Sequence, residues 1–140
     1  MAVTNRMTGI VFSDLGQASS FMALDWVQEL LKDRLGYNPF PATLNVRPKS
    51  DEDALVWRRA QSEFGSISLT LANSEHCGAR LFRIEIHGSV PGAGEKIDGA
   101  ILLPEVKEYP KDKIEIVAPM RLKDRLGIHD GDALILEFLN

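Results

Sequence analysis

Three oxygen-bearing residues give the clearest chemical signal in this sequence. Thr43 and Asn45 flank Leu44 in the run "NPFPATLNVRP". Alternation along a strand puts residues i and i+2 on one face, so a hydroxyl and an amide oxygen at this spacing can reach a single hard cation, which prefers oxygen ligands. The same pair can equally well start and end an ordinary strand after "PFP". Glu115 lies between Ile114 and Ile116 in "KIEIVAP". A carboxylate enclosed by apolar neighbours is placed as a semi-buried general base would be, or as the outward member of an alternating strand.

Other reactive side chains form no comparable pattern. His76, His87 and His129 are scattered, and Glu75, His76 and Cys77 are consecutive, whereas adjacent side chains rarely converge on one metal. Cys77 is the single cysteine, which rules out an internal disulfide and suits a reducing cytoplasm. Arg58 and Arg59 follow Trp57, an arrangement commoner on a solvated helix than in a binding patch. A net charge of −4 argues against broad nucleic-acid backbone binding, which needs a concentrated basic surface. Apolar runs such as Gly99–Pro104 fall far short of the roughly 20 residues that span a bilayer, so neither membrane insertion nor a signal peptide is expected.

The elements that must hold these residues are short. A chain of 140 residues with 44% hydrophobic content is the size of one ordinary domain, so residues 1–140 are read as a single unit. Thr8–Phe12 reads as a strand followed by the loop "SDLGQASS". A helix follows, with Asp25 as N-cap and Gln28 as its capping-box partner; Val27, Leu30, Leu31 and Leu35 form its apolar face and Gly36 ends it. Thr43–Arg47 is a strand closed by Pro48, and the charged segment Lys49–Phe64 reads as a surface excursion of helical composition. Ser66–Ala72 and Arg80–Gly88 alternate as half-buried antiparallel strands. Further strands lie in "IDGAILLP", "KIEIVAP" and "GDALILEF", and a short helix over Met120–Leu126 begins with Pro119 in its first turn and ends at Gly127. Many short strands with two helices indicate a mainly β protein, a small β-barrel rather than a sandwich or a doubly wound sheet.

The hexapeptide "LKDRLG" occurs at Leu31–Gly36 and again at Leu122–Gly127. Leucines at i and i+4 share a helical face, the basic residues suit a helix C-terminus, and glycine supplies the left-handed cap, so each copy is justified locally. Each copy also ends a helix that leads into a strand, one in each half of the chain. Internal pseudo-twofold symmetry is the favoured explanation.

On the runs "GYNPFPATLNV" (Gly36–Val46), "KIDGAILLP" (Lys96–Pro104) and "KIEIVAPMRLKDRLGIHDGDALIL" (Lys113–Leu136), the chain resembles the CTP-dependent riboflavin kinases known chiefly from archaea. The resemblance covers nearly the whole chain and is weakest over Lys49–His76. It implies a six-stranded cradle-loop β-barrel with internal twofold symmetry and transfer of a phosphoryl group from CTP to riboflavin, giving FMN. It also implies a magnesium ion held by Thr43 and Asn45, with Glu115 accepting the proton of the reacting flavin hydroxyl at the barrel mouth. Nucleotide contacts would come from Leu15, Gly16, Gln17, Ala18, Ser19 and Ser20, and from Met120, Arg121, Leu122 and Lys123; flavin contacts would come from Lys107 and Glu115.

The chain departs from that family pattern in its first loop. Of a Gly-x-Gly-x-Gly run only Gly16 is kept, with Asp14 and Ala18 in the other glycine positions. A carboxylate about 5 Å from a phosphate charge repels it by roughly 3 kcal/mol at an effective dielectric of 20. Ala42 replaces the glycine before "TLN", and Lys107 replaces a flavin-contacting threonine. Two other classes compete with the kinase. One is a non-catalytic flavin or nucleotide sensor on the same barrel. The other is a nucleic-acid-binding barrel, because "LKDRLGIHDGDALILEF" also resembles the helix–GD–strand unit of swapped-hairpin transcription factors.

Overall fold

A computed structural model describes residues 5–13, 22–70, 78–88, 96–105 and 109–139. The elements in chain order are β1 (Arg6–Phe12), α1 (Asp25–Leu35), β2 (Leu44–Pro48), α2 (Asp51–Glu63), β3 (Ile67–Thr70), β4 (Gly78–His87), β5 (Lys96–Pro104), β6 (Ile114–Val117), α3 (Leu122–Leu126) and β7 (Ala133–Phe138). Six strands run β4-β5-β6-β2-β1-β7, and β7 pairs back onto β4 to close an antiparallel barrel with no free edge in the ring. The short β3 pairs with the first part of β4, from Ile67↔Leu81 to Thr70↔Gly78, along the edge that β7 takes further on, from Ile84↔Phe138 to His87↔Ile135. The expected barrel is therefore present, with one extra strand appended to it.

Alternation turns one face of each barrel strand into an interior apolar cluster, and β4, β5 and β6 also feed a second cluster on the outside of the wall. Val46, Phe82, Ile84, Ile86, Ile101, Ile114, Ile116, Leu134, Leu136 and Phe138 belong to the interior cluster. On the outside of the wall, Ala100, Leu102 and Val117 are covered by Val27, Leu31 and Leu35 of α1. The predicted apolar face of α1 is the one buried, but its start differs. Leu24 occupies the N-cap without a side-chain bond, Asp25 is the first helical residue, and the Gln28 amide donates to the Met22 carbonyl at 2.7 Å.

Residues 49–64 are not a surface excursion. Ser50 caps α2 by accepting from the Asp53 amide, and Val56, Trp57 and Ala60 are buried among the interior residues. The Trp57 ring lies 5.3 Å from that of Phe82 and 6.1 Å from that of Phe138. The dense charge that suggested a solvated segment belongs to the other face, where Arg59 pairs with Glu63 at 2.8 Å. Among the described residues there are three helices rather than two. The last, α3, begins at Leu122 after an Arg121 N-cap, so Pro119 precedes it. No described helix is long and apolar enough to cross a membrane.

Both hexapeptides end their helices identically. Gly36 (φ 86) and Gly127 (φ 62) are left-handed, and each donates its N–H to the carbonyl of the lysine in its own copy, Lys32 or Lys123. The barrel also has the twofold pairing pattern. Mapping β1, β2 and β4 onto β5, β6 and β7, and the reverse, carries the set of pairings in the ring onto itself, with β2–β6 and β4–β7 unchanged. That mapping, however, takes the β1–β2 connection, which holds α1, onto β5–β6, whereas α3 connects β6 to β7. The two copies are not symmetry mates, and their likeness comes from shared helix-ending chemistry.

Candidate active site

The wall β5–β6–β2 places the three singled-out residues together. Glu115 faces Asn45 across one ladder and Leu102 across the other. Because Ile114 and Ile116 turn into the barrel, Glu115 turns outward. It therefore sits on the outer surface of the wall instead of in the barrel mouth. It is only 6% exposed and is the buried charged residue of the described core.

Both carboxylate oxygens of Glu115 are engaged. The Thr43 hydroxyl donates to Oε1 at 3.2 Å, and the Tyr109 hydroxyl donates to Oε2 at 2.5 Å. Beside them Asn45 Oδ1 is buried with no hydrogen-bond partner. Buried acceptors are nearly always satisfied, so an orphaned amide oxygen marks a place where something else belongs. A hydroxyl that gives its proton to Glu115 keeps its lone pairs, and these, with the Asn45 oxygen and the carboxylate, form an oxygen-only donor set. Such a set fits a hard divalent cation.

Basic side chains border this row. Arg47, two residues after Asn45 and on the same face, is exposed, with Cζ 6.0 Å from the Phe12 ring centroid. Lys113, two residues before Glu115, holds Nζ 5.9 Å from the Tyr109 ring centroid. Lys123 bonds Ser13 Oγ and Asp130 Oδ1, both at 3.2 Å, which brings α3 to the root of the first loop. The Ser13 hydroxyl first, and then Lys123, holds the Asp130 carboxyl below the usual range. Arg121 pairs with Asp124 at 2.6 Å. Leu122 is buried in the interior cluster and Met120 packs against it, so the surface offered by that stretch is backbone plus its basic residues. Residues Leu15, Gly16, Gln17, Ala18, Ser19, Ser20 and Lys107, together with Asp14, lie outside the described residues.

Sequence reasoning passed over Tyr109. It is the only aromatic residue in the polar segment "EVKEYPKD", which was the one available signal. Its ring also lines a cleft of about 830 Å³ whose walls include Trp57, Arg58, Arg80 and Leu103. On the opposite wall of the barrel, Glu85, His87 and Glu137 hold ligand-type atoms within 4.8 Å of one another. Arg6 bonds Glu137 at 2.7 Å and Lys96 lies 3.8 Å from Glu85, so those carboxylates already have cationic partners.

A family model labelled CTP-dep_RFKase and described as a domain of unknown function, DUF120, matches residues 11–138. The chain is 33% identical over 137 residues to a riboflavin kinase of Pyrobaculum aerophilum, covering 96% of this chain and 60% of that protein. It is 30% identical over 139 residues to a riboflavin kinase of Archaeoglobus fulgidus, with 97% and 55% covered. For a riboflavin kinase of Methanococcoides burtonii the identity is 31% over 128 residues, with 91% and 54% covered. The chain thus spans little more than half the length of these curated relatives.

Proposed function

The chain belongs to the CTP-dependent riboflavin kinase family, and on that premise we propose that it transfers the terminal phosphoryl group of CTP to the ribityl 5′-hydroxyl of riboflavin, giving FMN. The observation that carries this reading is the convergence on one wall of a buried carboxylate, a hydroxyl bonded to it and an orphaned amide oxygen. Residues 1–140 act as one catalytic unit in the cytoplasm.

Phosphoryl transfer needs positioning, charge neutralisation and an acceptor for the nucleophile's proton. Glu115 takes the proton of the ribityl hydroxyl as its oxygen bonds to phosphorus and the bridging P–O bond to CDP breaks. Thr43 and Asn45 would hold a magnesium ion, which would neutralise charge on the transferring phosphates. Arg47 and Lys113 add positive charge beside the same row. The nucleotide is held by Leu15–Ser20 and Met120–Lys123; Lys123 also bonds Ser13, the last described residue before the first of these segments. Asp14 and Ala18 in this loop set the donor preference. The flavin ring occupies the cleft lined by Trp57, Leu103 and Tyr109, whose volume is in the range of small-molecule sites. Lys107 serves its phosphate end.

The test is incubation with riboflavin, magnesium and CTP or ATP, with FMN separated chromatographically. FMN formation with CTP is expected, and Glu115→Gln should reduce it by roughly 10²–10⁴-fold while riboflavin binding survives. Riboflavin binding with no FMN from any nucleotide would overturn the kinase in favour of a flavin sensor.

A further inference from the structure

The geometry points to Tyr109 as the positioning residue of Glu115, coupling occupation of the neighbouring cleft to the orientation of that carboxylate. This deepens the kinase reading and rests on it.

The two donors to Glu115 are unequal. The Thr43 bond is 3.2 Å, long for an O–H···O contact, whereas the Tyr109 bond is 2.5 Å, the length of a strong bond to an ionised acceptor. Tyr109 is thus the tighter of the two holds on the carboxylate. With Oε2 held by Tyr109, Oε1, which has only the longer Thr43 contact, is the oxygen better placed to accept an incoming proton. The reacting hydroxyl is thereby directed to the side where the Asn45 oxygen lies unpartnered.

Tyr109 is itself held from two directions. Pro110 follows it with a fixed φ, and the Lys113 amide donates to the Pro110 carbonyl at 3.4 Å, closing a turn that runs straight into β6. The Lys113 ammonium lies 5.9 Å from the ring centroid, within reach of a cation–π contact. Tyr109 also forms part of the cleft wall together with Trp57, Arg58, Arg80 and Leu103. A ligand seated in the cleft presses on the residue that aims the base, so the base is aligned best when the cleft is filled.

Two substitutions separate the hydroxyl from the ring. Tyr109→Phe keeps the cleft wall and removes the bond. The kcat should fall about 10–100-fold with the riboflavin KM within about twofold of wild type, since only the interaction with the base is lost. Tyr109→Ala removes the wall as well and should raise the riboflavin KM about tenfold. In the Glu115→Gln background Tyr109→Phe should cost nothing further, because the two act as a unit. Wild-type kcat in Tyr109→Phe, or an equal loss of kcat in the Glu115→Gln background, would overturn the assignment. Absence of FMN formation by the wild type would instead refute the kinase reading. The Tyr109 role is then decided by the ¹³C resonance of the Glu115 carboxyl at one fixed pH, which should shift when riboflavin is added to wild type and stay in place when it is added to Tyr109→Phe; equal shifts would reject it.

Discussion

Asn45 should be a residue that the empty protein is better without. Its Oδ1 is buried and unpartnered, and an unsatisfied buried acceptor costs about 1–3 kcal/mol. Replacement by alanine removes that cost and gives up only the packing of a partly exposed side chain. Asn45→Ala without ligands should therefore match wild type or exceed it by up to about 1–2 kcal/mol. For a domain of this size 1 kcal/mol is about 3–5 °C in Tm, which a thermal melt followed by circular dichroism resolves. Magnesium with CTP at 100 times Kd should stabilise wild type by about 2.7 kcal/mol, and this gain should vanish in the variant.

Asn45→Asp supplies the opposite sign. It sets a second carboxylate in register with Glu115, and two like charges about 5 Å apart repel by roughly 3 kcal/mol at an effective dielectric of 20. The ligand-free Asp variant should melt well below wild type, and magnesium alone should restore much of the difference. If Asn45 only supports the wall, Asn45→Ala will melt several degrees low and keep the full response to magnesium and CTP. That result would refute the cation-site reasoning.

Three further outcomes follow from the same geometry. Tyr37 has a buried hydroxyl with no partner, and burial pushes its pKa up to about 12. The unfolded chain ionises this phenol from about pH 10, so wild type should lose stability as pH rises from there towards 12, whereas Tyr37→Phe should lose less and be at least as stable at pH 7 in urea titration. A Cβ on Gly99 would lie 2.7 Å from Ile86 Cδ1 and 2.8 Å from the Val117 carbonyl oxygen. Because the second neighbour is backbone, Gly99→Ala should cost about 2 kcal/mol or more in the same titration. Asp130, held low by Ser13 and Lys123, contributes stability above the ordinary carboxylate range that is lost as pH falls through its lowered value, so Asp130→Asn should flatten the acid side of the stability profile.

The strands were legible because alternation between two apolar layers writes itself into the sequence, as in Phe82, Ile84 and Ile86 of β4. The Thr43–Asn45 spacing and the enclosed Glu115 were legible for the same reason, since a polar residue in an apolar strand stands out. Helix α2 was misjudged because one buried stripe, Val56, Trp57 and Ala60, is outnumbered by charges on the remaining faces. The barrel was legible in the number of short strands, but which strands close it was not, because β7 meets β4 through contacts about fifty residues apart that no local pattern encodes. The face on which Glu115 emerges was misread because alternation fixes that neighbours oppose one another, while only the closed barrel fixes which side is inside. Tyr109 was missed because its partner lies across a turn and its segment has no periodicity.

The barrel's symmetry accounts for where the site lies. The twofold mapping exchanges β2 with β6, and these strands pair directly, so the axis passes through that ladder. Asn45 and Glu115 are partners there, one from each half of the chain. A position next to the axis faces its own counterpart, so a polar residue at that point in both halves yields a facing polar pair where every other exchange separates the two side chains. The axis leaves through the opposite wall between β4 and β7, which the mapping also exchanges; with Asn45 opposite Glu115 the registers put Ile86 opposite Leu136 there, and Glu85 faces Glu137 one residue away. The two crossings have diverged in their surroundings. Arg6 and Lys96 neutralise the carboxylates of the second. At the first, the contacts to Glu115 come from the neutral hydroxyls of Thr43 and Tyr109, and the Asn45 oxygen has no partner. Of the two crossings, the wall between β2 and β6 is the one whose facing polar pair is contacted by neutral hydroxyls and keeps an unpartnered acceptor.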